Sequence, residues 1–383
     1  MLIFVACLVI FIYGMLASLL GTIVPSLGTI LSLSNAQVGY LALSQGLGLA
    51  ATSVVAGAFM DAKGKKAGII IGLLASLIGL AILSHPVSLG LSIVAMVILG
   101  CGGSLVIVGS NAIASDVPDT RRAATINFLN IFAGLGGFAT PFVAGNLLGS
   151  DAVKSAYCGI AISAIALVVT IFTRMPEKRQ NHTSEPDKEK KENIFGSGIL
   201  YVLASIVFLY TACEFGIWNW FPKFLISTGI PALKALNILS FGFASGLLVG
   251  RMVASRLLTK ASPYYVTLAC CILMGIVTFT MLKVPSLAGG APLVFFAGFV
   301  MAPIFPTTIS IVGRLFKQQA ATAIGFAITC GFSGLVVSSP VIGWLSGSEA
   351  EGLGRGLLLL PAMSAVVVLI LIVFRNRLIA SHP

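Results

Sequence analysis

Twelve apolar runs divide the chain, at about 2–24, 37–60, 67–84, 88–113, 122–148, 154–173, 197–221, 233–257, 263–282, 288–313, 319–346 and 353–374. A helix crossing the hydrocarbon core of a bilayer takes about 17–25 apolar residues, and these runs have that length. With 57% hydrophobic residues and 9% charged, no water-soluble core can hide the apolar surface, so lipid must be the solvent. Lipid offers nothing to an unpaired peptide group, which makes each run a helix. The pattern predicts an all-α membrane protein with twelve transmembrane helices.

The net charge of +11 would suit nucleic acid, but its placement does not. Lys and Arg sit in short clusters between the apolar runs, as topology in a membrane requires, and no nucleic-acid partner is expected. With residue 1 on the cytoplasmic side, seventeen of the Lys and Arg residues fall on that side. Only Lys154, Lys223, Lys234, Lys283 and Arg355 fall on the other. The imbalance places both termini in the cytoplasm of a multi-pass protein of the cytoplasmic (inner) membrane. The first run lacks a basic leader and a small-residue cleavage site, and is read as the first helix rather than a signal peptide. The seven cysteines follow no metal-ligand or disulfide-framework spacing, and neither a metal nor an organic cofactor is called for.

Residues 174–194 form the one long hydrophilic stretch, mixed in charge and poor in apolar residues. They separate residues 1–173, a six-helix bundle, from residues 195–383, a second one. The halves echo each other. Gly57-Ala-Phe-Met-Asp61-Ala-Lys-Gly-Lys-Lys66 aligns with Gly250 to Lys260, which puts Ala254 opposite Asp61. Ala123-Ala-Thr-Ile126 answers Ala320-Ala-Thr-Ala-Ile324, and each is followed by a proline, Pro141 and Pro340. Parallel repeats of this kind imply two pseudo-symmetric bundles around a midplane cavity.

The stretch Thr211 to Phe221 carries the chemistry. Glu214 is the one acid inside an apolar run, and an acid there costs roughly 3 kcal/mol or more on insertion scales, so a function is expected of it. Trp218, four residues on, shares its helix face. An indole beside a hydrogen-bonding group is a common way to hold a sugar. Asn219 lies on a neighbouring face. Trp218 and Trp220 also suit an interfacial aromatic belt. Asn127 and Asn130, spaced i, i+3, and Gln45 add amides that both donate and accept, which suits a polyol. Amides also bond between membrane helices, at about 0.6 kcal/mol per contact. At 1.5 Å per residue, Glu214 and Arg251 stand roughly 18 Å apart along the membrane normal, which argues against their pairing.

The segment Gly57 to Lys66 resembles the loop signature of the major facilitator superfamily, Gly-x-x-x-Asp-x-x-Gly-Arg/Lys-Arg/Lys. Other stretches resemble its fucose/galactose/glucose permease group and vertebrate sodium–glucose relatives. They are Ala124 to Gly136, Tyr210 to Trp218, Gly250-Arg251 and Gly298 to Pro306. The resemblance implies a secondary carrier of a monosaccharide such as glucose, galactose or fucose, working by alternating access. It assigns Asp61, with Arg251, to gating rather than to substrate. Proton-coupled fucose permeases are expected to carry acids in helices 1 and 4. Here helix 1 has none and helix 4 offers Ser104, Ser110 and Asn111, which leaves Glu214 to couple transport to a proton or Na+. Proton symport is the first expectation, sodium symport or uniport the next, and a multidrug/proton antiporter the rival function. The rest of the reading is a monomer in the lipid bilayer with a sugar as small-molecule partner.

An intramembrane protease is excluded on chemistry. Gly331-Phe-Ser-Gly334 imitates a rhomboid serine motif, but such a serine needs a base. The histidines, His85, His182 and His382, all lie outside the apolar runs. A contact between helices through small residues is the expected role of that motif.

Overall fold

The computed structural model describes residues 2–114, 119–175, 194–258, 261–284, 287–316, 320–347 and 352–379. Within them the chain makes twelve helical passages: α1 (Leu2–Ile30), α2 (Asn35–Lys63), α3 (Lys65–Leu83), α4 (Leu89–Ala114), α5 (Asp119–Asn146), α6 (Ala152–Phe172) and α7 (Gly198–Ser227). The remaining five are α8 (Ala232–Asn237, a π-helical Ile238–Ala244, then Ser245–Leu257), α9 (Pro263–Lys283), α10 (Leu287–Met301 and Ile304–Leu315), α11 (Ala320–Ser346) and α12 (Gly352–Leu357, Leu359–Val373 and Arg375–Ile379). Eleven passages are long and apolar enough to cross a membrane. The twelfth, α2, is 29 residues long but carries Asn35, Gln37, Gln45 and Asp61. It packs against α4 and α11. Outward positions are apolar, among them Ile165, Phe172, Ile276 and Leu369, an arrangement suited to lipid and not to water.

Two prolines shift the expected helix ends. The first and seventh apolar runs stop near Pro25 and Phe221, but α1 continues through Pro25 to Ile30 and α7 through Pro222 to Ser227. A proline removes one hydrogen bond, to the carbonyl four residues back; membrane helices tolerate that loss where neighbouring helices cover the freed group. The freed carbonyls belong to Gly21 and Trp218. These two residues meet, since a Cβ on Gly21 would collide with the Trp218 carbonyl oxygen.

The two halves are built on the same backbone contacts. Gly48 and Gly100 bring α2 and α4 together so closely that a Cβ on either would strike the other helix's carbonyl, and Gly246 and Gly298 do the same for α8 and α10. Gly136 lies against the Phe11 carbonyl between α5 and α1, and Gly334 against the Phe208 carbonyl between α11 and α7. Each of these glycines is 198 positions from its counterpart, but Phe11 and Phe208 are 197 apart, as are the first residues of α2 and α8. The extra residue therefore enters within the first half of α8, where the π-helical segment Ile238–Ala244 absorbs it. This register corrects the sequence alignment of Gly57 with Gly250, which is displaced by five residues. The counterpart of Asp61 is Thr259, outside the described residues, and not Ala254. Gly331 and Gly334 face Val207, Thr211 and Phe208 of α7, the small-residue contact expected of that motif.

The side of the molecule that holds Leu2 and the α2–α3 connection is here termed proximal, and the side that holds the α1–α2 connection distal. Contacts between the bundles fall in the distal halves of the helices. Asn35 Nδ2 donates to the Gly347 carbonyl at 3.0 Å, joining α2 to α11. Asn146 and Asn237 exchange amide hydrogen bonds between α5 and α8. Phe138 and Phe142 pack edge-on against Phe241. The cleft between the bundles, where Tyr13, Phe215 and Leu335 line a pocket, lies proximal of these bridges.

The signature segment holds the proximal rim of the first bundle. Gly64 takes φ 89°, a conformation glycine reaches without strain, and turns α2 into α3. Lys65 Nζ then donates to the Ala112 carbonyl at the end of α4, and Lys66 Nζ to the Ile171 carbonyl at the end of α6. Cations at helix C-termini meet both the unpaired carbonyls and the negative end of the dipole.

Candidate substrate and coupling site

Because α7 runs on past Pro222, Glu214 lies near the middle of a 30-residue helix, closer to its midpoint than the apolar run implied. That change brings it within reach of α8. Arg251 Nη2 stands 3.9 Å from Glu214 Oε1. The expected separation of roughly 18 Å is overturned, since the helix end was misplaced and a long guanidinium side chain spans the remaining offset. The Arg251 side chain is 38% exposed and that of Glu214 14%, which marks the pair as a wall of the cleft rather than core. One turn before Glu214 is Tyr210, 1% exposed, whose hydroxyl lacks a partner of good geometry. Tyr13 of α1 approaches from the other bundle. Both tyrosines are within electrostatic reach of Glu214 and Arg251. They are 197 positions apart, the same offset that relates α1 to α7, so the repeat places two equivalent phenols in the neighbourhood of one carboxylate.

Tyr13 also lines a small pocket with Leu16, Gln45, Leu49, Phe215 and Leu335. Gln45 Nε2 donates to the Leu16 carbonyl at 2.9 Å, which fixes the amide and leaves its oxygen out of that bond. Asn130 of α5 is half-buried. It lies one turn proximal of Gly134, which abuts Leu248 of α8. Arg251 lies one turn proximal of Leu248, so Asn130 and Arg251 flank the same seam from opposite bundles.

Other sequence candidates are placed differently. Trp218 is 8% exposed, edge-on to Phe243, with its ring edge against Gly137 of α5. It shares the face of Glu214 but closes the cleft distally. Asn219 points away from the cleft, and its Nδ2 donates to Ser339 Oγ of α11 at 3.2 Å. The Asn219 oxygen has no partner among the described residues. Trp220 is fully buried against Gly343 and is not an interfacial side chain. The side chains of Asn127 and Asp61 lie outside the described residues. Tyr13, Tyr210, Phe215 and Leu335 were not singled out from the sequence. The 197-residue spacing of the two tyrosines was its only signal for them.

The family model described as Major Facilitator Superfamily matches residues 6–339. A hexuronate transporter of Bacillus subtilis (strain 168) is 24% identical over 265 residues, 64% of this chain and 62% of that one. The membrane protein MosC of Rhizobium meliloti is 34% identical over 88 residues, 23% of this chain. The chain thus matches 21% and 62% of the length of these two curated relatives. Among solved structures, that of a D-xylose–proton symporter superposes with a TM-score of 0.80 at 15% identity, over 96% of each chain. The transporter FucP, in its outward conformation, superposes at 0.64 and 18% identity, covering 97% of this chain and 98% of its own. Such identities speak for the fold alone, and the fold they share is the paired six-helix arrangement built above from glycine contacts. The chain belongs to the Major Facilitator Superfamily of membrane transporters.

Proposed function

We propose that the chain is a secondary active transporter that moves a monosaccharide of hexose size by proton symport, with Glu214 as the proton carrier. The observation that carries this reading is a single carboxylate in the interior of the spanning helices, set in the cleft wall beside Arg251 and two tyrosines. An acid inside a spanning segment is costly and is kept there for a function. Tyr13 and Phe215 offer aromatic faces, and Gln45 and Asn130 offer amides, the combination that holds a sugar ring and its hydroxyls. The presence of a D-xylose–proton symporter and a hexuronate transporter among similar proteins supports the same class. The excess of Lys and Arg on the proximal side supports a cytoplasmic placement of that side.

The test is uptake of labelled hexoses into proteoliposomes under imposed proton and sodium gradients, with Glu214→Gln beside the parent protein. Concentrative uptake under a proton gradient, lost in Glu214→Gln while exchange persists, is the expected result. Equal gradient-driven uptake in the variant overturns the role of Glu214. Concentrative uptake under sodium alone overturns proton coupling.

A further inference from the structure

We infer that the substrate is an acidic monosaccharide, a uronate-type sugar, whose carboxylate is received by Arg251 when Glu214 takes up its proton. The inference rests on the proposed proton cycle of Glu214 and adds the charge of the cargo. Arg251 lies within the spanning passage α8, facing the carboxylate of Glu214, where a cation is costly unless it is paired or used. Its contact with Glu214 is loose. One nitrogen faces one oxygen at 3.9 Å, beyond hydrogen-bond length, so a fork of five N–H donors gives none of them to that carboxylate. Its side chain is also much more exposed than its partner's, 38% against 14%. A planar fork with free donors on a cleft wall is matched in geometry by a carboxylate, which it binds through two parallel hydrogen bonds.

Charge balance points the same way. With Glu214 ionised, the pair is neutral. A proton on Glu214 leaves Arg251 as an uncompensated cation in the membrane interior, which is strongly unfavourable. A neutral sugar does not relieve it; a monoanion does. The loaded site then holds Glu214 as the neutral acid and the substrate carboxylate against Arg251, with the same net charge as the empty site. On the cytoplasmic side the proton leaves Glu214, the carboxylate re-forms beside Arg251, and it competes the substrate off. The groups facing Glu214 are Tyr13 from α1, Tyr210 from α7 and Arg251 from α8. The neighbouring Cys213 turns its thiol to the Leu360 carbonyl on α12. One proton crosses with one anion in this exchange, so no net charge moves.

Two experiments on purified protein in proteoliposomes test this. In the first, labelled glucuronate, galacturonate and glucose are offered under a pH gradient, with the membrane potential set separately by potassium and valinomycin. The expected result is uronate uptake at least about tenfold above glucose, driven by the pH gradient and unchanged by the potential. In the second, Arg251→Gln is expected to abolish uronate uptake. Arg251→Lys keeps the charge without the fork and is expected to raise KM about tenfold with kcat little changed. Normal uronate uptake by both variants overturns the assignment of Arg251. Glucose uptake that follows the membrane potential, without competition by uronates, overturns the acidic-cargo inference and leaves the monosaccharide–proton reading standing. Movement of neither sugar class under any gradient overturns both.

Discussion

Asn219 and Glu214 sit five residues apart on α7, one facing α11 and the other the cleft. A difference of five residues is 500° of helical rotation, about 140° away from the original face, which is enough to move an amide from substrate to scaffold. Asn219→Ala should therefore leave the KM for substrate within about twofold while lowering stability by about 0.6 kcal/mol, the usual worth of a contact between membrane helices. Uptake kinetics beside thermal unfolding of the purified protein would check both halves of that expectation. A large rise in KM with unchanged stability would return Asn219 to the binding site. Glu214 was legible in the sequence because an acid inside an apolar run is conspicuous by its cost. Its partner was not. Whether Arg251 reaches Glu214 depends on where α7 ends, and hydropathy ends that helix at Pro222, where the aromatic run gives way to a proline and Lys223. The tyrosines escaped notice for a different reason, since a phenol in an apolar run costs little and signals little.

At the level of helices, α1 and α7 share one device. Each has a proline that frees a carbonyl a turn earlier, and the two helices touch at those positions, Gly21 on Trp218. The approach works only because Gly21 has no side chain. Gly21→Val should hold the distal seam apart and lower turnover at least tenfold, since alternating access requires that seam to close. The change would be read with a cysteine placed at Leu236, which is 1% exposed in the seam beside Gly145, in a background without the native cysteines. An impermeant maleimide applied from the distal side should label it in Gly21→Val and not in the parent. Labelling that stays absent, with normal turnover, would show that the contact is not part of the gate. The number of helices and their pairing into halves could be read from apolar runs and repeated motifs. Register within the repeat could not, because a one-residue insertion leaves hydropathy unchanged and appears only as the π-helical segment of α8.

Across the whole molecule, alternating access requires closure on one side and opening on the other to be a single rearrangement of the two bundles. The amide pair Asn146–Asn237 and the Asn35–Gly347 bond span the closed side. Cysteines at Asn146 and Asn237, joined by a short thiol cross-linker, should stop transport fully and reversibly while binding from the proximal side persists. Turnover that continues with the link in place would mean that the distal seam does not open during the cycle. Tyr13 and Tyr210 hold equivalent places in the two halves and converge on Glu214, so the carboxylate lies close to the axis about which the halves interchange. For parallel repeats that axis runs along the membrane normal, so the acid belongs to the boundary between the bundles, where each half contributes one phenol to its surroundings.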